Sequence, residues 1–418
     1  MKWGRLGTTG QQKTHAFATP SEARAELEAL VAEKTKKGYR RVDAPVQPPR
    51  DAKLERAMFQ ARDDEGPALV YADWLQANGN PWGELISVQY ALETKPKDKT
   101  LRAKEKALLG ALQLLPPDLG ALTWRRGVID TLHVFNARDW MDDAHDVFAT
   151  LQPVLELPMA DGLAELRTGV IRWDHNTEDV PAVLAAASKR PFAPRLERLV
   201  LGDLPRNVDM DHHVIGDVRA LSKQFPNLTF LKLHSGAASW SGAHNFDFGP
   251  LALSSLETLV VETCSMSTKR LRQVLESALP KLTRLELWFG STDYGADVKV
   301  KHLSRLLDGA VFPRVTDLGL RNAEFTNELA TALPGSGIAR RLVRLDLSMG
   351  VLDGGGAKSL VAGAKSFPKL KTLVVSQSHL APGDIKALKQ GFPGVDLEAK
   401  DQKHMPGEPH HRYVTVGE

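Results

Sequence analysis

The chain has 418 residues, of which 42% are hydrophobic and 25% are charged, which is an ordinary composition for a soluble globular protein. Its 54 basic and 51 acidic residues leave a net charge of +3, too small to indicate nucleic acid or a membrane surface as the partner of the whole chain. A single cysteine excludes a disulfide framework and a cysteine-rich zinc site, and no apolar run reaches the roughly 18 residues of a membrane-spanning helix. The N-terminus lacks an apolar stretch of secretory length, so we expect a cytoplasmic protein.

Residues 1–42 are expected to form a separate basic module, because nine basic residues stand there against four acidic ones. The stretch GTTGQ suits a hairpin turn, and the segment that starts at Ser21 predicts a helix that stops at Gly38. The module is therefore predicted to combine a small hairpin with one helix.

The tripeptide Trp3-Gly4-Arg5, the following GTTGQ and the later Lys37-Gly38-Tyr39 resemble the second half of a WGR domain. This α+β family occurs in poly(ADP-ribose) polymerases, where it contacts DNA ends, and in many bacterial proteins. The resemblance implies that Trp3, Arg5 and Lys13 contact nucleic acid; the alternative is a surface Trp–Arg pair that only stabilises the module. The family's opening strands would precede Trp3, so we expect a partial, N-terminally truncated module.

Residues 43–52 contain three prolines and predict a stiff, extended linker. In residues 53–127 the motifs Tyr71-Ala72-Asp73-Trp74-Leu75 and Gly79-x-Pro81-x-Gly83-Glu84 resemble the bacterial repeat-companion domain, which usually accompanies repeat arrays. We expect a small helical domain that caps the first repeat, whose core would otherwise face water. Asp73 and Glu84 are expected to fix helix ends rather than to act in catalysis.

The frame L-x-x-L-x-L recurs seven times between Leu196 and Val375, with starts 26–33 residues apart. The frame predicts strands whose alternate leucines point inward, and amphipathic stretches such as KRLRQVLESALP predict helices that cross back between them. Residues 128–195 contain irregular, repeat-like units, a degenerate unit ends at Leu397, and residues 398–418 form a C-terminal tail.

This pattern resembles the ribonuclease-inhibitor-like leucine-rich repeats. The resemblance implies an α/β solenoid over residues 196–397, with parallel strands inside and helices outside. At the position after the third apolar residue, where the family carries asparagine or cysteine, only Cys264 matches. The asparagine ladder of the family is therefore mostly missing.

Side chains between the inward leucines are expected to face the concave side of the solenoid. Aromatic and arginine residues dominate protein interfaces, and the mixed charge signs favour a protein or peptide partner over a polyanion. The alternative is a solvated strand face whose ion pairs contribute little. The predicted protein-binding residues are Arg198, Phe230, Lys232, His234, Glu262, Arg284, Glu286, Trp288, Arg321, Arg344 and Asp346.

Known reaction chemistry is not recognisable in the sequence. There is no phosphate-binding P-loop, and the run Gly354-Gly355-Gly356 is better explained as a turn before a helix. The histidines of the tail, His404, His410 and His411, lack partners at metal-ligand spacing, and Cys264 is expected to be a buried thiol. We therefore expect no enzyme activity, no cofactor and no metal.

The sequence favours a non-enzymatic scaffold that binds an unidentified protein or peptide on its concave face, with no membrane role. The alternative is a nucleic-acid-associated regulator that uses the basic module to bind DNA or RNA. A third hypothesis, an enzyme with an unrecognised site, requires a carboxylate cluster in a cleft between the companion domain and the repeats.

Overall fold

The computed structural model describes residues 2–3, 11–12, 20–37, 49–61, 64–112, 114–137, 147–172, 177–204, 213–236, 246–403 and 412–416. The β-strands among them are β1 (Lys2–Trp3), β2 (Gln11–Gln12), β3 (Gly120–Arg125), β4 (Val128–Val134), β5 (Glu165–Thr168), β6 (Arg198–Leu201), β7 (Phe230–His234), β8 (Thr258–Glu262), β9 (Arg284–Gly290), β10 (Asp317–Ala323), β11 (Arg344–Asp346), β12 (Thr372–Val374) and β13 (Asp396–Glu398). The α-helices are α1 (Pro20–Lys36), α2 (Ala52–Gln60), α3 (Glu65–Ala77), α4 (Pro81–Thr94), α5 (Lys99–Leu112), α6 (Val147–Leu155), α7 (Asp179–Ala187), α8 (Leu221–Gln224), α9 (Thr268–Leu275), α10 (Ser304–Leu307), α11 (Thr326–Ala332), α12 (Gly354–Ala362) and α13 (Pro382–Gly391).

The fold is mixed α/β, and its centre is one sheet that contains the eleven strands β3 to β13. Each strand lies beside the next strand of the chain, and the pairs from β4 onward are parallel. Parallel neighbours require a crossover connection, which helices such as α9, α11 and α12 supply here. The predicted alternation of strands and helices is thereby confirmed.

The inward leucines of the repeats lie side by side in the sheet and are almost completely buried, except the last, Leu397, which is half-buried. The same register continues into the irregular units before residue 196 and into the degenerate unit that ends at Leu397, so these units join the same sheet. The row comprises Leu132, Leu166, Leu199, Leu231, Leu259, Leu285, Leu318, Leu345, Leu373 and Leu397. One continuous apolar core follows, as expected when each unit buries the exposed side of the previous one.

Close backbone approach explains one of the missing ladder asparagines. Gly290 ends β9 with a φ of +79°, and a Cβ there would lie 1.7 Å from the carbonyl oxygen of Cys264. Glycine tolerates both the left-handed backbone and the contact, whereas asparagine would not fit.

The helices α2 to α5 pack against the turn that joins β3 and β4. Their own core includes Tyr71 and Trp82, and the indole N–H of Trp82 donates a hydrogen bond of 2.6 Å to the carbonyl of Gly127. The side-chain oxygen of Gln89 accepts one of 2.6 Å from the amide of the same glycine. Because β3 pairs antiparallel with β4, it forms the edge strand at this end of the sheet.

In the N-terminal module β1 and β2 pair antiparallel, with Trp3 opposite Gln11, and α1 follows. The predicted hairpin and helix are thereby confirmed, although the helix begins at Pro20, one residue before the expected Ser21. Among the helices in the described ranges, none combines the length and the apolar character needed to cross a bilayer.

Candidate interaction surface

Strands β4 to β13 carry a surface of polar side chains opposite the leucine row, which we call the polar face. Along β7 the apolar Leu231 and Leu233 are buried, whereas Phe230, Lys232 and His234 between them are partly exposed. The strand register brings the corresponding residues of neighbouring strands side by side. All eleven residues predicted from the sequence to bind protein lie on this face.

Two arginines of the polar face stack on aromatic rings of adjacent strands. The guanidinium of Arg198 lies 3.9 Å from the ring centre of Phe230, and that of Arg321 lies 4.8 Å from the ring of Trp288. In each pair the two residues face one another in the register, Arg198 opposite Phe230 and Arg321 opposite Trp288. The aromatics are therefore half-buried under arginines, and not openly exposed as the sequence alternation suggested.

Glu286 is the centre of a charged network on β9 and β10. Its carboxylate accepts hydrogen bonds from Arg284 at 2.8 Å, from Arg321 at 2.6 Å and from the Trp288 indole at 2.9 Å. Burial by itself would raise the pKa of Glu286, but the charge of Arg321 and these hydrogen bonds outweigh it and lower the pKa to about 2. The network therefore keeps a buried carboxylate ionised.

The network continues to the next strands through Asp317 and Asp346. Asp346 accepts a hydrogen bond of 3.1 Å from Arg344 and one of 3.0 Å from the amide of Ser348. Asp317 lies 3.9 Å from Arg284 and 3.8 Å from Arg344. Burial raises the pKa of Asp317, and the two arginines only partly oppose this effect.

A second carboxylate, Glu262 on β8, is shared by two neighbours. It lies 2.6 Å from Nδ1 of His234 and 2.8 Å from Nζ of Lys232. Burial would raise the pKa of Glu262, but the His234 hydrogen bond and the Lys232 charge lower it. Both partners come from β7, so this cluster also joins adjacent strands.

The cations of the polar face are more exposed than three of its carboxylates. The side chains of Arg198, Arg284, Arg321, Arg344 and Lys232 are 23–44% exposed, whereas those of Glu262, Glu286 and Asp346 are 7–9% exposed. These three carboxylates point away from the leucine row, as the alternation predicts, but they are nearly buried. Long side chains from neighbouring strands fold over them, so a residue that points outward is not necessarily accessible.

The first repeat-like unit contributes residues that the sequence analysis did not select. Glu165 accepts a hydrogen bond of 3.1 Å from Arg198, and Arg167 lies 2.6 Å from Asp203. Glu165 and Arg167 flank the buried Leu166, the same relation that Arg198 has to Leu199. Their position beside a repeat leucine was the signal that could have identified them.

A cavity of about 150 Å³ lies between the helical cap and the first strands, where the sequence analysis looked for a carboxylate cluster. Tyr90 from α4 and the carboxyl-bearing Asp130 and Glu197 are among the residues that line it, together with Arg125 and Arg126. The guanidinium of Arg126 lies 5.2 Å from the ring of Tyr90 and forms a 2.7 Å ion pair with a glutamate of α4.

The candidate nucleic-acid and metal residues fall largely outside the described ranges. Trp3 lies in β1, whereas Arg5 and Lys13 are not among the described residues. Within the described ranges no group of three or more His, Cys, Asp or Glu residues could hold a metal ion. His404, His410 and His411 also lie outside them.

Residues 1–45 match the family model of the WGR domain, slightly beyond the boundary at residue 42 expected from the sequence. A solved structure of a protein from Bacteroides fragilis covers 100% of this chain and 92% of its own chain, with a TM-score of 0.59 and 19% identity. This likeness concerns the fold alone. An internalin, InlF from Listeria monocytogenes, covers 59% of this chain and 56% of its own, at 13% identity and a TM-score of 0.28, which is too low to support any inference. No curated protein matches the chain. What the comparisons establish is a WGR domain at residues 1–45.

Proposed function

We propose that the chain is a non-enzymatic protein-interaction scaffold whose residues 128–397 form a leucine-rich-repeat solenoid. The proposal of a solenoid is supported by strands that follow one another in chain order and by the unbroken leucine row. Residues 53–127 act as its cap, like the repeat-companion domains they resemble. The polar face is the binding surface.

The observation that carries this proposal is the pair of arginine–aromatic stacks, Arg198 on Phe230 and Arg321 on Trp288. Arginine and tryptophan are enriched at the few interface positions that carry most of the binding energy. Stacking holds each guanidinium in one orientation before a partner arrives, so less side-chain entropy is lost on binding.

The charge distribution favours a protein partner with acidic groups at intervals. From β6 to β10 the exposed guanidinium and ammonium groups of Arg198, Lys232, Arg284 and Arg321 recognise carboxylates, while Glu262 and Glu286 lie just beneath them. A continuous polyanion would come close to these buried negative charges, whereas a folded protein or peptide presents its acidic groups only where arginines meet them.

The test is a double variant, Arg284→Ala with Trp288→Ala, used as bait in affinity purification with mass spectrometry. We expect partners captured by the wild type to be lost, because each truncation at such a position typically costs about 2 kcal/mol or more. The matched control is Arg272→Ala, which removes an exposed arginine of α9 away from the polar face. If the double variant melts early, Arg198→Ala with Phe230→Ala tests the other stack. Unchanged partners in folded double variants refute the polar face as the binding surface.

A second function is favoured by the WGR match at residues 1–45. We propose that this basic module binds nucleic acid ends, with Trp3, Arg5 and Lys13 as contacts. Binding of the full chain to a short DNA duplex should weaken steeply as salt rises, because phosphate contacts release counterions. Trp3→Ala with Arg5→Ala should abolish binding, while the polar-face variants should not affect it. Absent or salt-independent binding contradicts this second function.

A further inference from the structure

The C-terminal segment Arg412–Val416 crosses the carboxyl ends of the strands β10 to β12 and bends at Thr415. The amide of Thr415 donates a hydrogen bond of 2.8 Å to the carbonyl of Met349, just after β11. The carbonyl of Tyr413 lies 3.1 Å from Nε2 of His379 and accepts a 2.6 Å hydrogen bond from Lys403. Arg412 pairs with Asp353. The segment is thus held mainly through its backbone.

Asn322 holds the last described residue of the segment by both of its main-chain groups. Its Nδ2 donates a hydrogen bond of 2.6 Å to the Val416 carbonyl, and its Oδ1 accepts one of 2.9 Å from the Val416 amide. Asn322 is completely buried and has a φ of +54°. The donor and the acceptor of this buried amide both point at a peptide backbone. Such an amide can bind the main chain of a peptide whatever side chains the peptide carries.

The side chains of the segment alternate between the protein and solvent. Tyr413 and Thr415 are exposed, whereas Val414 is only 5% exposed and the half-buried Val416 packs against Cys264. From Tyr413 to Val416 every second side chain therefore faces the protein, which favours peptides with small apolar residues at alternate positions. We call the surface formed by Cys264, Trp288, Asn322, Met349 and His379 the tail groove.

We propose that the tail groove is a binding site for a partner peptide with apolar side chains at alternate positions, and that the chain's own Arg412–Val416 occupies it as a competing ligand. The hydrogen bonds to the main chain of Tyr413, Thr415 and Val416 involve backbone groups that any peptide also has, so a partner can replace them. Only the Arg412–Asp353 pair and the hydrogen bonds of the Thr415 hydroxyl depend on the side chains of this tail. The tail contributes one fully buried apolar side chain, Val414, and a second that is partly buried. A tail held in this way can be displaced.

The tail groove adjoins the polar face, because Trp288 and Val416 both pack against Cys264. Trp288 also stacks under Arg321, whose guanidinium lies 3.0 Å from the Met349 sulfur. Release of the tail therefore enlarges the surface available beside the arginine–aromatic stack. The proposal does not require the polar face to bind protein, since it concerns a separate set of main-chain contacts.

The test uses a chain that ends at His411 and a fluorescein-labelled peptide with the sequence of residues 411–418, HRYVTVGE. Anisotropy should show saturable binding to the shortened chain, and at least tenfold weaker apparent binding to the full chain, because the tail competes in the latter. The control peptide carries aspartate in place of the two valines and should not bind. Asn322→Gly in the shortened chain should weaken binding at least tenfold, and glycine keeps the positive φ without strain.

The single cysteine supplies an independent readout. Cys264 is buried beside Val416, so the shortened chain should react faster with a thiol reagent, and the peptide should restore protection. If the shortened chain does not fold, the full chain with Asn322→Gly takes its place and should also react faster than the wild type. Three results overturn the proposal. They are no peptide binding to a folded shortened chain, equal peptide binding to the shortened and full chains, and an unchanged rate of thiol reaction in the replacement variant.

Discussion

Replacing Glu286 by glutamine removes the negative charge at the centre of the polar face while it preserves the shape of the side chain. The glutamine oxygen can still accept from the Trp288 indole and from Arg321, which share Oε1, but its NH2 group then opposes the guanidinium of Arg284, and the charge that attracts both arginines is gone. The variant therefore measures what the carboxylate contributes to the fold through these arginines.

The expected magnitude follows from the pKa. Folding lowers the pKa of Glu286 from 4.5 to about 2 against the opposing effect of burial, and at about 1.4 kcal/mol per pKa unit this corresponds to about 3 kcal/mol at pH 7. A lowered pKa gives stability that is fully present above pH 4.5 and is lost as the pH falls towards 2. At pH 3.5 roughly 2 kcal/mol should remain. The side chain is only 7% exposed, so solvent screens little of this contribution.

Urea unfolding of the wild type and of Glu286→Gln at pH 7 and at pH 3.5 measures both values. The control is Glu398→Gln, because Glu398 is 42% exposed and makes one 3.5 Å contact with Arg344, so its loss should cost under ~1 kcal/mol. Two results would refute the assignment of Glu286 as an ionised carboxylate held by its network. One is a loss in the free energy of unfolding below about 1 kcal/mol for Glu286→Gln at pH 7, and the other is the same loss at both pH values.

Three further changes test the fold around the surface. Gly290→Ala should destabilise the fold by about 3 kcal/mol or more, since its Cβ would clash with the Cys264 carbonyl at a φ of +79°. Gly295→Ala, at a φ of +89° with nothing within 4 Å, should cost only the backbone strain of about 1–2 kcal/mol. Equal losses of Tm in the two variants contradict this prediction. Burial, with the nearby charge of a second histidine, lowers the pKa of His213 to about 3, so protonation of this histidine in the unfolded chain should remove about 1.4 kcal/mol of the wild type's free energy of unfolding between pH 7.5 and 5.5. Urea unfolding of His213→Leu should show a loss over the same pH range that is smaller by that amount. An identical loss in wild type and variant speaks against a buried neutral imidazole. Trp82→Phe should lower the free energy of unfolding by about 1–3 kcal/mol, because it leaves the Gly127 carbonyl between β3 and β4 without its indole donor. A loss below about 0.5 kcal/mol, the scatter of a neutral surface change, would mean that this hydrogen bond does not join the cap to the sheet.

The polar face shows why alternation along a strand is a limited guide to a binding surface. The pattern predicts correctly that Glu286 and Asp346 point away from the leucine row. It does not predict that they lie under arginines from adjacent strands, since those contacts depend on side-chain length and on lateral register together.

The sequence by itself determined the repeating frame, the order of the strands and the inward leucines, because a strand has a period of two and every unit must bury the same apolar positions. It also determined the hairpin and helix of the N-terminal module through local turn and helix signals. Only the tertiary structure decided which arginine covers which aromatic, and that the tail binds Asn322 across 94 residues of chain. Such contacts join segments that are distant in sequence, and a backbone held through its amides and carbonyls has no pattern of residue types by which it could be recognised in advance.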